Sequence, residues 1–230
     1  MAKMTLVLLP GMDGTGALFE PLIAALRSEF NICVVTYPAS EALGYAELEA
    51  IAQTFLPPDE PYVVLGESFS GPVAVSLASL AGANLKALIL CCTFVRNPRP
   101  ATSLLRSIVD VLPVMLAPVN ILSHLLLGRF STSILRATLA ESLRQVSANA
   151  LRARLKAVLS VDVSKKLATV RVPILYLRAS KDRLVPASAS ALVSSLRPNT
   201  QVVELDAPHF LLQAKPAEAA KVVSDFVHKM

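Results

Sequence analysis

Residues 62–71, Tyr62-Val63-Val64-Leu65-Gly66-Glu67-Ser68-Phe69-Ser70-Gly71, decide how this chain is read. The run before Gly66 shows no apolar/polar alternation, which suits a strand covered on both faces, and the pattern from Ser70 onward is helical. A serine between the two sits on a tight strand-to-helix turn. Small residues at Gly66 and Ser70 let strand and helix close up around it, while the helix turns its N–H groups and positive dipole end toward the hydroxyl. The plainer alternative is a serine that only caps a helix. Ser68 is read as a nucleophile.

Working outward, short β-branched or leucine-rich runs recur at 5–9, 32–36, 62–65, 86–91, 172–177 and 201–205. Helical patterns lie between them at 17–29, 45–55, 70–80, 187–196 and 216–228. Strand, helix, strand repeated in this way predicts an open, mostly parallel α/β sheet of six strands with right-handed crossovers. Such sheets take ligands beyond the carboxyl ends of their strands. The alternation breaks at 92–170, where only helical signals occur, at 103–111, 121–127, 133–139 and 143–159. The expected organisation is therefore a core of 1–91 and 171–230 with a helical cap inserted at 92–170.

Composition narrows the classes. The chain has 230 residues, of which 53% are hydrophobic and 17% charged, against about 25% charged in an average soluble domain. That much apolar surface offsets the entropy of ordering and excludes disorder. Three cysteines (Cys33, Cys91, Cys92) give neither a disulfide framework nor a metal knuckle, which points to a reducing, cytoplasmic compartment. The apolar run at 5–9 ends at Pro10-Gly11, too early for a secretory signal. Residues 112–128 lack formal charge but contain Pro113, Pro118, Asn120 and His124, which argues against a membrane span. Net charge is +5, yet no basic cluster interleaved with aromatics suggests a nucleic-acid surface.

A serine hydroxyl needs an adjacent base, usually a histidine oriented by a carboxylate. Of the three histidines, His228 lies near the C-terminus and His124 inside the insertion. His209, in the loop after the last strand, is left as the base. Asp182 follows the fifth strand and is the expected acid; Asp206 competes but lies too close in sequence to His209 to face its ring. The stretch Pro10-Gly11-Met12-Asp13-Gly14-Thr15-Gly16 after the first strand could cradle a pyrophosphate or present an N–H to an oxyanion. No acidic residue ends the second strand, as a dinucleotide site would need. In the favoured reading the N–H groups of Met12 and Phe69 form the oxyanion hole, with Asp13 and Thr15 holding the loop.

These residues resemble the α/β-hydrolases of the serine esterase and lipase type, in the order nucleophile, acid, base. The stretches 9–16 and 66–71 are similar to a branch that includes small bacterial esterases and plant acyl-ester synthases. Pro10 departs from the family's usual His-Gly oxyanion signature, and Ser70 replaces the second glycine of Gly-x-Ser-x-Gly. The resemblance implies two-step acyl transfer from a small-molecule ester with no metal or organic cofactor. An acyltransferase using an alcohol instead of water, or a ligand-binding protein on a hydrolase fold, shares the same motifs. Gly11, Phe210 and the cap residues Leu112, Met115 and Leu116 are the residues expected to touch substrate. The cap carries eleven basic against three acidic residues; these are expected mostly to face water, with a membrane-facing lid as the alternative.

Overall fold

A computed structural model describes residues 3–102, 109 and 119–230. Six strands, β1 (Thr5–Leu9), β2 (Asn31–Val34), β3 (Tyr62–Glu67), β4 (Leu85–Cys91), β5 (Ile174–Ala179) and β6 (Gln201–Leu205), form one sheet in the order β2-β1-β3-β4-β5-β6. Every pairing is parallel. Successive side chains leave opposite faces of a strand, and here both faces are covered. Leu6, Leu8, Val63, Leu65, Ile89 and Leu177 pack toward α1 (Glu20–Leu26), α9 (Leu211–Ala214) and α10 (Pro216–His228). Val7, Leu9, Val64, Leu88, Leu90 and Tyr176 pack toward α2 (Tyr45–Gln53), α3 (Gly71–Leu80) and α8 (Ala187–Leu196). This is why the central strands read as largely apolar runs, whereas the edge strands β2 and β6 are partly exposed. Burying each such leucine or valine contributes about 1.5–3 kcal/mol.

The chain crosses from β1 outward to β2, then back past β1 to β3. The order therefore reverses between β1 and β3, and a crevice opens beyond their carboxyl ends. The loop after β1 and the turn after β3 flank that crevice.

The segment after β4 leaves and re-enters the core through a pinned neck. Asn97 donates its N–H to Val161 O at 3.0 Å, Val163 donates to Val95 O at 2.7 Å, and Arg96 and Asp162 form an antiparallel bridge. Beyond it lie α4 (Val119–Leu126), α5 (Ser133–Arg144) and α6 (Ala148–Ser160). The single helix expected at 143–159 is two. Ser147 caps α6 by accepting from the Ala150 N–H at 3.1 Å, which ends α5 and restarts the chain in a new direction. A short helix with no sequence expectation, α7 (Ser164–Thr169), packs its Leu167 into the same apolar layer as α3. Helix 17–29 begins instead as a 3-10 turn, Ala17–Phe19. Most of the signal at 103–111 lies outside the described residues. No helix among the described residues is long and apolar enough to cross a membrane.

Candidate active site

Ser68 follows β3 with φ of 47°, in the left-handed region that a residue with a Cβ enters only under strain. The turn is possible because its neighbours are small. A Cβ on Gly66 would lie 2.6 Å from the Ala74 Cβ, and one on Gly71 would collide with the Thr93 side chain. Thr93 Oγ1 donates to Ser68 O, and Tyr45 OH donates to Phe69 O at 3.0 Å while stacking on its ring. The turn thus lifts the Ser68 hydroxyl off the end of the sheet.

Two other strand ends converge on it. Ser68 Oγ is 2.8 Å from His209 Nε2, and His209 Nδ1 is 2.8 Å from Asp182 Oδ2. Asp182 Oδ1 accepts the N–H groups of Leu184 and Val185 at 2.8 and 2.9 Å, so Oδ2 is left to accept Nδ1–H. That proton assignment makes Nε2 the acceptor for the serine hydroxyl. The Asp182 and His209 side chains are only 4% and 3% exposed, which keeps water out of the relay. Asp206, the competing carboxylate, turns outward instead, paired with Arg129 at 2.6 Å and accepting from Ser180. His124 and His228 are exposed.

The loop after β1 faces this relay. The Met12 N–H donates to no group among the described residues, as an oxyanion donor requires. Asp13 Oδ2 accepts from the Thr15 N–H and hydroxyl at 3.0 and 2.5 Å. Ser70, at the position where the family has glycine, donates to Pro10 O and accepts from Tyr37 OH at 2.8 Å. Both departures from the family pattern, Pro10 and Ser70, thus meet in one hydrogen bond. Arg154 of α6, 1% exposed, also grips this loop. Among the described residues it is the one basic side chain of the insertion that is fully buried, against the expectation that these residues mostly face water. A charged residue on the helix face of Leu151, Leu155 and Val158 was the signal that could have marked it.

Two cavities meet at Met12, Ser68, Leu184 and His209. The first, of about 310 Å³, is walled by Phe94, Val109, Leu155, Val158 and Leu159; the second, of about 200 Å³, by Leu122, Leu125, Leu126, Leu139 and Phe210. Gly11 and Phe210 line the second cavity, while Leu112, Met115 and Leu116 lie outside the described residues. Ile121 is 56% exposed, because the helical period turns it away from the face of Leu122 and Leu125. Sequence reasoning missed Glu67 in this wall. It is buried, receives a hydrogen bond from Gln213 Nε2 at 2.9 Å, and burial pushes its carboxyl up to about 7; Asp13 adds to the rise, while Gln213 and His209 oppose it.

A serine on a strained strand-to-helix turn, with histidine and aspartate from two later strand ends, defines a class, and the family comparison agrees. The model of the alpha/beta hydrolase family matches residues 6–222, and this chain belongs to that family. No curated protein matches its sequence. Among solved structures, the enol-lactonase from Burkholderia xenovorans LB400 superposes with a TM-score of 0.86 at 16% identity, covering 99% of this chain and 92% of that one. An esterase from Exiguobacterium antarcticum gives 0.82 at 15%, covering 99% and 92%. A bromoperoxidase from Bacillus anthracis gives 0.83 at 15%, again covering 99% and 92%. At such identities the likeness is one of fold, and fold leaves the reaction open.

Proposed function

We propose that this protein is a cytoplasmic serine hydrolase that cleaves carboxylic esters with apolar, short- to medium-chain acyl groups. The observation that carries the reading is the unbroken relay Ser68 Oγ–His209 Nε2 and His209 Nδ1–Asp182 Oδ2, each step 2.8 Å, opening onto two apolar cavities. As Ser68 Oγ attacks the ester carbonyl, His209 Nε2 takes its proton and Asp182 supports the imidazolium. The Met12 and Phe69 N–H groups receive the charge that develops on the carbonyl oxygen. His209 then protonates the leaving alcohol, and the same base activates water to free the acyl group. The two cavities suit the two limbs of an ester, and volumes of about 310 and 200 Å³ favour modest ones. The helices beyond the neck act as the cap that walls both. Free Cys33, Cys91 and Cys92 fit a reducing compartment.

A p-nitrophenyl ester series tests this directly. kcat/KM should rise about fourfold per methylene, the equivalent of about 0.8 kcal/mol, to a plateau when the cavity is full. It should change little with ionic strength, and added alcohol should not divert the acyl product. A flat profile, activity only on anionic vesicles at low salt, or acyl transfer to alcohol outrunning hydrolysis would each reject the reading.

A further inference from the structure

Arg154 donates Nη1 to both Met12 O and Asp13 O at 2.8 Å and Nη2 to Pro38 O at 2.9 Å, with its guanidinium 5.8 Å from the centre of the Tyr37 ring. Its hydrogen bonds thus run to main-chain carbonyls rather than to a carboxylate. A planar fork that spans three carbonyls fixes a direction, which a lysine ammonium on one point cannot do. The loop is shaped around this side chain: Gly14 has φ of 72°, and a Cβ there would lie 2.7 Å from Nη1. Two of the three acceptors sit on the consecutive peptides Met12–Asp13 and Asp13–Gly14, one of them the carbonyl of Met12, whose N–H donates to no group among the described residues.

We propose that Arg154 is a positioning residue that sets the Met12 N–H at the oxyanion and ties that donor to the packing of the cap. The proposal rests on the esterase reading above. Helix α6 carries Leu151 in the wall of one cavity and Leu155, Val158 and Leu159 in the wall of the other. A substrate that fills either cavity therefore presses on the helix whose Arg154 holds the donor loop. Arg154 touches no reacting atom; it acts through Met12.

The test compares Arg154→Met and Arg154→Lys with Ser147→Ala. Ser147 also ties α6 to the core, through its N–H to Ala39 O at 2.8 Å and its hydroxyl to Ser40 O at 3.2 Å, but away from Met12. Both Arg154 variants should lose about 10- to 100-fold in kcat, as a misplaced donor predicts, with KM within about threefold. A trifluoromethyl ketone, which becomes an oxyanion only on Ser68, should lose affinity by the same factor as kcat/KM, while inhibition by the product alcohol stays constant. Ser147→Ala should keep kcat within twofold. A folded Arg154→Lys with wild-type kcat, or a Ser147→Ala loss equal to that of Arg154→Met, overturns the proposal. Should Arg154→Met fail to fold, Arg154→Lys decides alone, its melting curve recorded alongside. Undiminished turnover in Ser68→Ala would instead overturn the esterase reading and leave the clamp geometry untouched.

Discussion

The turn that carries Ser68 and the loop that carries Met12 face each other across the site, yet they are shaped by different means. The shape of the turn is written mainly within residues 66–74, with Gly66 and Ala74 in close approach and a strained Ser68 between them, and Thr93 and Tyr45 close over it from 25 and 24 residues away. The loop after β1 holds itself through Asp13, Thr15 and the Gly14 N–H to Gly11 O, and Gly14 O accepts the Tyr37 N–H. The rest comes from Ser70, sixty residues on from Pro10, and from Arg154, more than a hundred and forty residues on from Met12. The geometry at Ser68 is thus built mainly by its neighbours in sequence, and that of the facing loop more by the tertiary fold.

The comparison can be broken at the relay. Asp182→Asn should lower kcat by about 10⁴, because the imidazole is held in the wrong tautomer and its charged form loses support. Asp206→Asn, at an exposed ion pair with Arg129, should change it less than twofold. A reversed order of these two effects, read from steady-state kinetics, would mean that the acid comes from the local loop and not from the distant strand end.

A second test uses Glu67, which sits beside the nucleophile but is held by Gln213 from another element. Its folded carboxyl keeps its proton up to about 7, whereas an unfolded one releases it near the ordinary value of 4.5. The folded state therefore binds more protons between these values, so this group's stabilisation is complete below 4.5 and is lost as pH rises to 7. Glu67→Gln should flatten the stability profile over that window by up to about 3 kcal/mol. Denaturation midpoints at pH 4.5, 6 and 7.5 check this; parallel profiles for the two proteins would remove Glu67 as the cause.

The smallest effect is expected where the two regions touch. Ser70→Ala leaves Pro10 O and the Tyr37 hydroxyl without their shared partner, at a cost of about 1–3 kcal/mol. Melting temperature should fall and kcat drop about tenfold, with the strained turn itself intact. A loss of kcat as deep as that of Asp182→Asn would show that the turn depends on the loop, contrary to the contrast drawn here.

The same contrast explains what could be read from the sequence. Covered strands announce themselves through apolar runs such as 62–65, and Asp182 was separable from Asp206 because a residue three before a histidine cannot easily turn to meet its ring. The break at Ser147 was written in the chain too, as a capping residue, but the continuous helical periodicity of 143–159 concealed it. Tyr37 and the Glu67–Gln213 pair carried no such signal, since their partners lie 33 and 146 residues away and polar residues at those spacings match nothing periodic; Arg154 stood out only as a charge on an apolar helix face, which marks burial but not its partners. The walls at Leu112, Met115 and Leu116 lie outside the described residues and stand as an expectation.

The account stands on Ser68 as the covalent nucleophile, and a fluorophosphonate probe asks that question without needing the natural substrate. Intact mass should show one adduct, peptide mapping should place it on the fragment containing Ser68, and Ser68→Ala should take up none while melting at the wild-type temperature. An adduct on any other residue, or one that persists in the folded Ser68→Ala protein, would contradict it.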